Sequence, residues 1–381
     1  MENLEKRACQ IIQSGSVLDL KHNRFKVPSQ SETDKYYDVS FLDSWKCTCA
    51  YHINGHGDCK HIIAVQIILS KINETEPEPE PEPVEIEIPD PVCPKCNSDN
   101  CVFYETRAGK HTESTRYRCK ACGNRFTYRP GFLGKHFADH IITDALEDVA
   151  AGKSGNATAR GIEKRVKSGT KTKDSDTQHA PHPATIWRWG KDVTIKTANL
   201  CKHILVQAGT HWSVDEIFFK TKKEGKWFFF KVVDMKSRFI LATDVSNDKL
   251  GYDATDLFQD AIDTVGKPCN VLVSDKLNGF AKGFKNTMGK GATHIRSACV
   301  RKHHIHNNGH ESQNGTMRNR IKTARGFGTE NPHLLNLYVL YHNFIRPHIG
   351  LGGRTPADAL GIHIRGSDKW KTILAYAATC C

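Results

Sequence analysis

HWSVDEIFFKTKKEGKWFFFKVVDMKSRFILATDV, residues His211 to Val245, holds three apolar runs separated by short charged breaks. Runs near His211–Lys220, Lys226–Asp234 and Phe239–Val245 are rich in aromatic and β-branched residues, so they read as three meandering strands. A helix around Asp253–Val265 then leads to the apolar run CNVLVSD, Cys269–Asp275, and a further strand near Thr293–Arg296 precedes a basic helix. A meander followed by strand–helix repeats predicts a mixed α/β sheet.

Carboxylates fall at telling places in this frame. Asp215 lies inside the first run, and Asp275 ends the run CNVLVSD, where open α/β sheets place ligand-binding groups. Downstream, RKHHIHNNGHESQNGTMRNRIKTAR, Arg301 to Arg325, contains six Arg and Lys residues and a single acid, Glu311. Singly, each acid reads equally as a strand-end aspartate or as an incidental charge on a solvated helix. As a set, two strand aspartates and a helical glutamate supply the hard oxygen ligands that Mg²⁺ requires. Paired ions of this kind sit ~3.5–4 Å apart, one serving the attacking oxygen and the other the leaving one. Asp234 is a rival ligand, but VVDMKSRF reads as a turn between the second and third strands. Asn308, one turn before Glu311, reads as a helix cap or as a group that orients a base or phosphate.

From about Ser213 to Ile362 the chain resembles the DDE transposases of bacterial and archaeal insertion sequences. The likeness rests on VDE at Val214–Glu216, VSD at Val273–Asp275, NNGHESQNGTMRNRIK at Asn307–Lys322 and YHNFIRPHIGLGGRTPADALGI at Tyr341–Ile362. His310 stands where many relatives carry an aliphatic residue. The resemblance implies an RNase H-like core built on a mixed five-stranded sheet with helices. It also implies Asp215, Asp275 and Glu311 as ligands of two Mg²⁺ or Mn²⁺ ions, with Arg318, Lys322 and Arg325 holding DNA phosphates nearby. Its activity would be divalent-metal-dependent cleavage and joining of double-stranded DNA, at transposon ends and at a target, by a homo-oligomer. A catalytically silent DNA-binding regulator and a nuclease that cuts without joining are the alternatives.

Composition agrees with a nucleic-acid partner. The 381 residues include 54 Lys and Arg against 42 Asp and Glu, a net charge of +12. Eight of the acids lie in the base-free stretch ETEPEPEPEPVEIEIPDP, so the remainder is more basic still. No apolar run reaches the ~20 residues of a membrane span, and MENLEKRACQ has no signal-peptide core. The expected location is cytoplasmic, associated with the nucleoid, or nuclear in a eukaryotic host.

Fourteen cysteines in a long chain favour metal binding in a reducing compartment over a disulfide scaffold. CTCAYHINGHGDCKH places Cys47, Cys49, Cys59 and His61 in a C-x-C-x9-C-x-H pattern, with His52 and His56 as rival ligands inside the loop. Three thiolates and an imidazole make a closed Zn²⁺ site. With the apolar helix HIIAVQIILS behind it, this segment resembles a SWIM zinc finger. CPKC at Cys93–Cys96 and CKAC at Cys119–Cys122 are paired knuckles, a second structural Zn²⁺ site of zinc-ribbon type, and Cys101 falls outside the spacing. This ribbon resembles those that precede the helix-turn-helix of some insertion-sequence transposases.

The alternating Pro-Glu segment predicts an extended linker without helix or sheet hydrogen bonds. Beyond the ribbon, HFADHIITDALEDVAAGKSGNATARGIEKRV predicts two helices, the second capped by Asn156. A third, capped by Thr185, would run through TIWRWGKDVTIKTANLCKHI and complete a helix-turn-helix. Trp187 and Trp189 are candidates for DNA stacking or helix packing, and 166–183 reads as a flexible loop. The chain is thus expected to be multidomain: a SWIM-type zinc finger at 1–73, linker at 74–91, zinc ribbon at 92–130, helical DNA-binding region at 131–205, catalytic core at 206–365 and a tail at 366–381.

Overall fold

Residues that build the expected meander pair as their side-chain pattern demands. The structure is a computed structural model. It describes the chain apart from residues 1, 15–16, 21–23, 33–34, 42–43, 74–82, 109–112, 133–135, 168–179, 205, 222–224, 290, 298–307, 324–332 and 380–381. At some element ends, including 308–313 and 322–323, only the backbone is described. Two compact units result, one from 1–81 with 205–316 and the other from 82–204 with 317–381.

The first unit is built on nine strands: β1 (Val17–Leu20), β2 (Arg24–Pro28), β3 (Tyr36–Phe41), β4 (Trp45–Cys47), β5 (His211–Thr221), β6 (Gly225–Asp234), β7 (Ile240–Ser246), β8 (Val271–Ser274) and β9 (Thr293–Ser297). Its helices include α1 (Glu2–Ser14), α2 (Lys60–Asn73), α3 (Thr255–Val265) and α4 (Asn278–Thr287). The helix α5 (Asn308–Thr323) begins in this unit. Strands β5, β6 and β7 form the antiparallel meander, while β8 lies parallel to both β5 and β9. The order β7-β6-β5-β8-β9 is the mixed five-stranded sheet of an RNase H-type core.

That sheet does not stop at β9. Strand β1 pairs parallel with β9, Val17 opposite Ile295, and β2, β3 and β4 continue the sheet antiparallel. A lone β9 edge would leave a row of unpaired N–H and C=O groups. The Cys-rich N-terminal segment supplies their partners. One apolar cluster joins Ala8 and Ile11 of α1 and Ile62, Val65 and Ile68 of α2 to Val271, Val273 and Ile295 of the core strands.

Helix α4 approaches the chain before α3 more closely than a side chain allows. A Cβ on Gly279 would sit 2.0 Å from the Tyr252 carbonyl oxygen, and one on Gly283 2.6 Å from the Ala254 carbonyl carbon. Behind it, Phe230 stacks flat on Tyr252 with ring centroids 3.7 Å apart.

The second unit contains a three-stranded sheet, Cys101–Ala108, Glu113–Cys119 and Arg125–Tyr128, and helices Asp139–Ala150, Gly155–Lys167 and Pro183–Lys196 that pack on one another. Helix starts differ from the sequence reading. The second begins at Gly155, where the Ser154 hydroxyl accepts from the Ala157 N–H, so Ser154 and not Asn156 is the cap. The third begins at Pro183, capped by the His182 ring and not by Thr185; Pro suits the first turn because it lacks the N–H that has no partner there. It ends at Lys196, and Leu200–Ile204 is a separate short helix. Trp189 is buried edge-on against Phe137, 5.3 Å between centroids, so it packs helices. Trp187 is 37% exposed.

Two further expectations are corrected. Val84–Ile86, read as linker, is a strand parallel to Ile362–Ile364, because the chain past Pro83 regains free N–H groups. The linker's residues 74–82, and residues 168–179 of the expected flexible loop, lie outside the described residues. The segment 366–381, read as a tail, folds as helix Lys369–Ala377 and buries Trp370, Ile373 and Leu374. Within the stretch Tyr341–Ile362, His342, Asn343 and Phe344 are fully buried in a π-helical turn while Ile349 is exposed, and the Arg320 guanidinium lies over the Tyr338 ring at 4.6 Å.

Candidate active site and metal clusters

Neighbouring strands bring the two aspartates near each other. In the parallel pairing of β8 with β5, Val271 faces His211 and Val273 faces Ser213. β8 ends at Ser274, and Asp275 opens the turn beyond it, near enough for its charge to act on Asp215. Asp215 accepts from the Glu216 N–H at 2.9 Å through Oδ1, and from the Asn314 amide at 2.7 Å through Oδ2. Burial pushes the Asp215 carboxyl above its ordinary range. The Lys231 ammonium and the Asn314 hydrogen bond pull it back, and the Asp275 charge adds to the upward push.

Asp275 is shaped by its own turn. Its Oδ1 accepts from the Leu277 N–H at 2.9 Å, and Arg296 on β9 holds that turn by donating to the Lys276 carbonyl and, at 3.1 Å, to Asn278 Oδ1. Ser274 donates to the Asp275 carbonyl and meets His294 Nε2 at 2.8 Å.

Glu311 stands on α5, one turn before Asn314. Its side chain, with those of Asn308, His310 and Lys322, is outside the described residues, as is the whole of Arg325. Arg318 is exposed on the same helix. Sequence reasoning missed two groups at Asp215. Asn314 is only 3% exposed, and its Oδ1 has no hydrogen-bond partner among the described residues. Its place three residues after Glu311, on the same helical face, was the available signal. Lys231 is fully buried, opposite Asp215 on β6, and the lone charge in FFFKVV was the clue.

The rival acids have other partners. Glu216, its carboxyl pushed up chiefly by burial, pairs with Lys249. Asp234 is buried and accepts from the Ser237 N–H at 2.7 Å and from its hydroxyl, closing the β6–β7 turn. The donor set suits a divalent cation: two oxygen ligands from adjacent strands with like charges held together, a strain that a cation relieves.

Both cysteine clusters assemble. Cys47, Cys49, Cys59 and His61 bring their ligand atoms within 4.8 Å of one another, as do Cys93, Cys96, Cys119 and Cys122. His61 Nδ1 lies 3.8 Å from both the Cys47 and the Cys59 sulfurs, and the sulfur pairs Cys93–Cys122 and Cys96–Cys119 are 3.6 Å apart. Tetrahedral Zn–S bonds of ~2.3 Å imply ligand separations of about 3.8 Å. The donor sets therefore fit Zn²⁺. His52 and His56 stay outside: His52 bonds the Gly57 carbonyl and His56 stacks on Tyr51. Cys101 also stands apart, its thiol donating to the Ser98 carbonyl. In the first cluster the close Cys47 and Cys59 sulfurs act on one another, holding Cys59 below and Cys47 above the usual thiol range.

Residues 209–335 match a family described as a DDE domain, and residues 92–127 match the zinc ribbon described as transcription factor S-II (TFIIS). Among solved structures, the HTLV-2 integrase catalytic core domain in complex with magnesium is similar at 15% identity. That match covers 40% of this chain and 97% of that one, with a TM-score of 0.30. The BIV integrase catalytic core domain is similar at 17% identity, covering 40% and 94%, with a TM-score of 0.29. The simian T-cell lymphotropic virus intasome follows at 15% identity, covering 41% and 55%, with a TM-score of 0.33. No curated protein matches. The chain thus carries a DDE domain and a zinc ribbon, and no described helix is long and apolar enough to cross a membrane.

Proposed function

We propose that this protein is a DNA transposase that binds transposon ends and catalyses strand cleavage and strand transfer. The observation that carries the reading is the proximity of Asp215 to Asp275 inside the DDE-domain match, with α5 tied to Asp215 through Asn314. Asp215, Asp275 and Glu311 would hold a pair of Mg²⁺ or Mn²⁺ ions, which supply activation of the attacking oxygen and stabilisation of the leaving one. Arg296 holds the Asp275 turn and the Asn314 amide holds the Asp215 carboxylate, which would keep both acids in place for the ions. Arg318, Lys322 and Arg325 neutralise and orient the DNA phosphates.

The N-terminal SWIM-type segment (1–73), the ribbon (92–130) and a helix-turn-helix within 131–205 would recognise transposon ends, joined by the linker at 74–91. The core (206–365) acts on double-stranded DNA as a homo-oligomer, and a prokaryotic insertion sequence is the expected home. Two nearby acids favour this over a silent regulator, because close carboxylates cost stability that a purely binding protein has no reason to retain.

The test uses labelled DNA from the inverted repeats flanking the gene. Asp215→Asn, Asp275→Asn and Glu311→Gln should each abolish Mg²⁺-dependent cleavage and joining by several orders of magnitude while end binding in gel shifts persists. Glu216→Gln should keep substantial activity. Parent-like cleavage and joining by Glu311→Gln would overturn the reading, and cleavage without joined products would make the protein a nuclease.

A further inference from the structure

Lys231 has no part in the ligand set just described, yet it lies next to one member of it. It is fully buried, in an apolar strand between Phe230 and Val232, and strand pairing sets it directly opposite Asp215. Cross-strand partners share a face of the sheet. Lys231 on β6 and Asp215 on β5 therefore lie side by side, and Asp275 follows β8 on the other side of β5. An ammonium removed from water costs several kcal/mol unless an opposite charge meets it.

We propose that Lys231 is a positioning residue of the carboxylate site, a resident counter-charge that neutralises Asp215 and keeps the site folded when no divalent cation is bound. This rests on the reading of Asp215 and Asp275 as cation ligands. Without the ammonium, two partly buried carboxylates would lie near each other with neutral donors, the Glu216 and Leu277 N–H groups and the Asn314 amide, to compensate. The site would then need a cation simply to stay assembled. With it, the apoprotein tolerates the acids, and a cation must compete with a charge already in place. Lys231 thus sets the site's demand for metal, and it touches neither DNA nor reacting atoms in doing so.

The test is thermal melting of the full-length, zinc-loaded protein with and without added Mg²⁺, a readout that requires no DNA and no catalysis. The parent should melt at nearly the same temperature in both conditions. Lys231→Met should melt roughly 10 °C lower without Mg²⁺, as expected for breaking one side of a buried pair, and should regain most of that loss when Mg²⁺ is added. Lys231→Arg should behave like the parent. The double variant Lys231→Met with Asp215→Asn removes both charges and should recover stability relative to Lys231→Met alone, with little response to Mg²⁺. That recovery remains measurable even if the single variant fails to fold. A double variant as unstable as Lys231→Met, or a Lys231→Met protein that melts like the parent without Mg²⁺, would overturn the proposal. Because cleavage is never assayed, this failure is distinct from failure of the transposase reading, which only the cleavage variants address.

Discussion

Asp215 is legible in the sequence as an acid within an apolar strand, but its partners are not. Asn314 lies 99 positions away and reaches Asp215 only because α5 packs over the sheet. Asn314→Ala should remove a group that orients the ligand and leave the ligand itself. We expect cleavage to fall about 10–100-fold, the range typical of outer-shell partners, with DNA affinity nearly unchanged in gel shifts. His294 is a second residue that only burial reveals. Packed on Phe284 and bonded to Ser274, it is held neutral down to about 3, against an ordinary 6.5. The folded form therefore binds fewer protons than the unfolded chain between those values. Its share of stability is complete above about pH 6.5 and is lost as pH falls toward 3, by up to about 1.4 kcal/mol per pH unit. Denaturant melts across pH 4–7 should show a shallower slope in His294→Gln than in the parent.

Among elements, the three meander strands and the run ending at Asp275 could be placed to within a residue or two, because their apolar pattern matches a sheet buried on both faces. Helix α4 was missed. Its sequence, NGFAKGFKNT, carries two glycines that weaken any helix reading, yet those glycines let it rest on the backbone before α3. Gly283→Ala should cost about 1–3 kcal/mol despite alanine's better helix propensity, since the clash is with backbone and cannot be relieved by a side-chain rotation. Urea titration measures this, and a stabilised variant would contradict the packing. The helix starts at Gly155 and Pro183 were misplaced for a related reason: Asn156 and Thr185 are plausible caps by type, but Ser154 and His182 hold the positions that face the free N–H groups.

At the scale of the whole molecule, the two cysteine clusters have different neighbours. The first lies in the unit whose sheet runs unbroken from β4 to β7, and the second in the other unit. Purified protein should contain about two Zn²⁺ per chain by elemental analysis. Cys59→Ser should loosen the β1–β4 extension and raise amide exchange in β9, whereas Cys93→Ser should unfold the ribbon and leave exchange in β9 at the parent level. Equal exchange in both variants would contradict the continuous sheet.

Ligand spacing, strand pattern and basic charge are local properties, so the sequence alone determined both cysteine clusters and the meander, and placed the two aspartates proposed as ligands. Tertiary structure decided what lies far apart in the chain. It joined the N-terminal strands to β9, since an open edge takes whichever strand presents matching hydrogen-bond groups. It excluded His52 and His56 from the first cluster, and made the supposed C-terminal tail part of a core. It also set Lys231 and Asn314 against Asp215, because a buried charge accepts only those partners that packing can deliver to it.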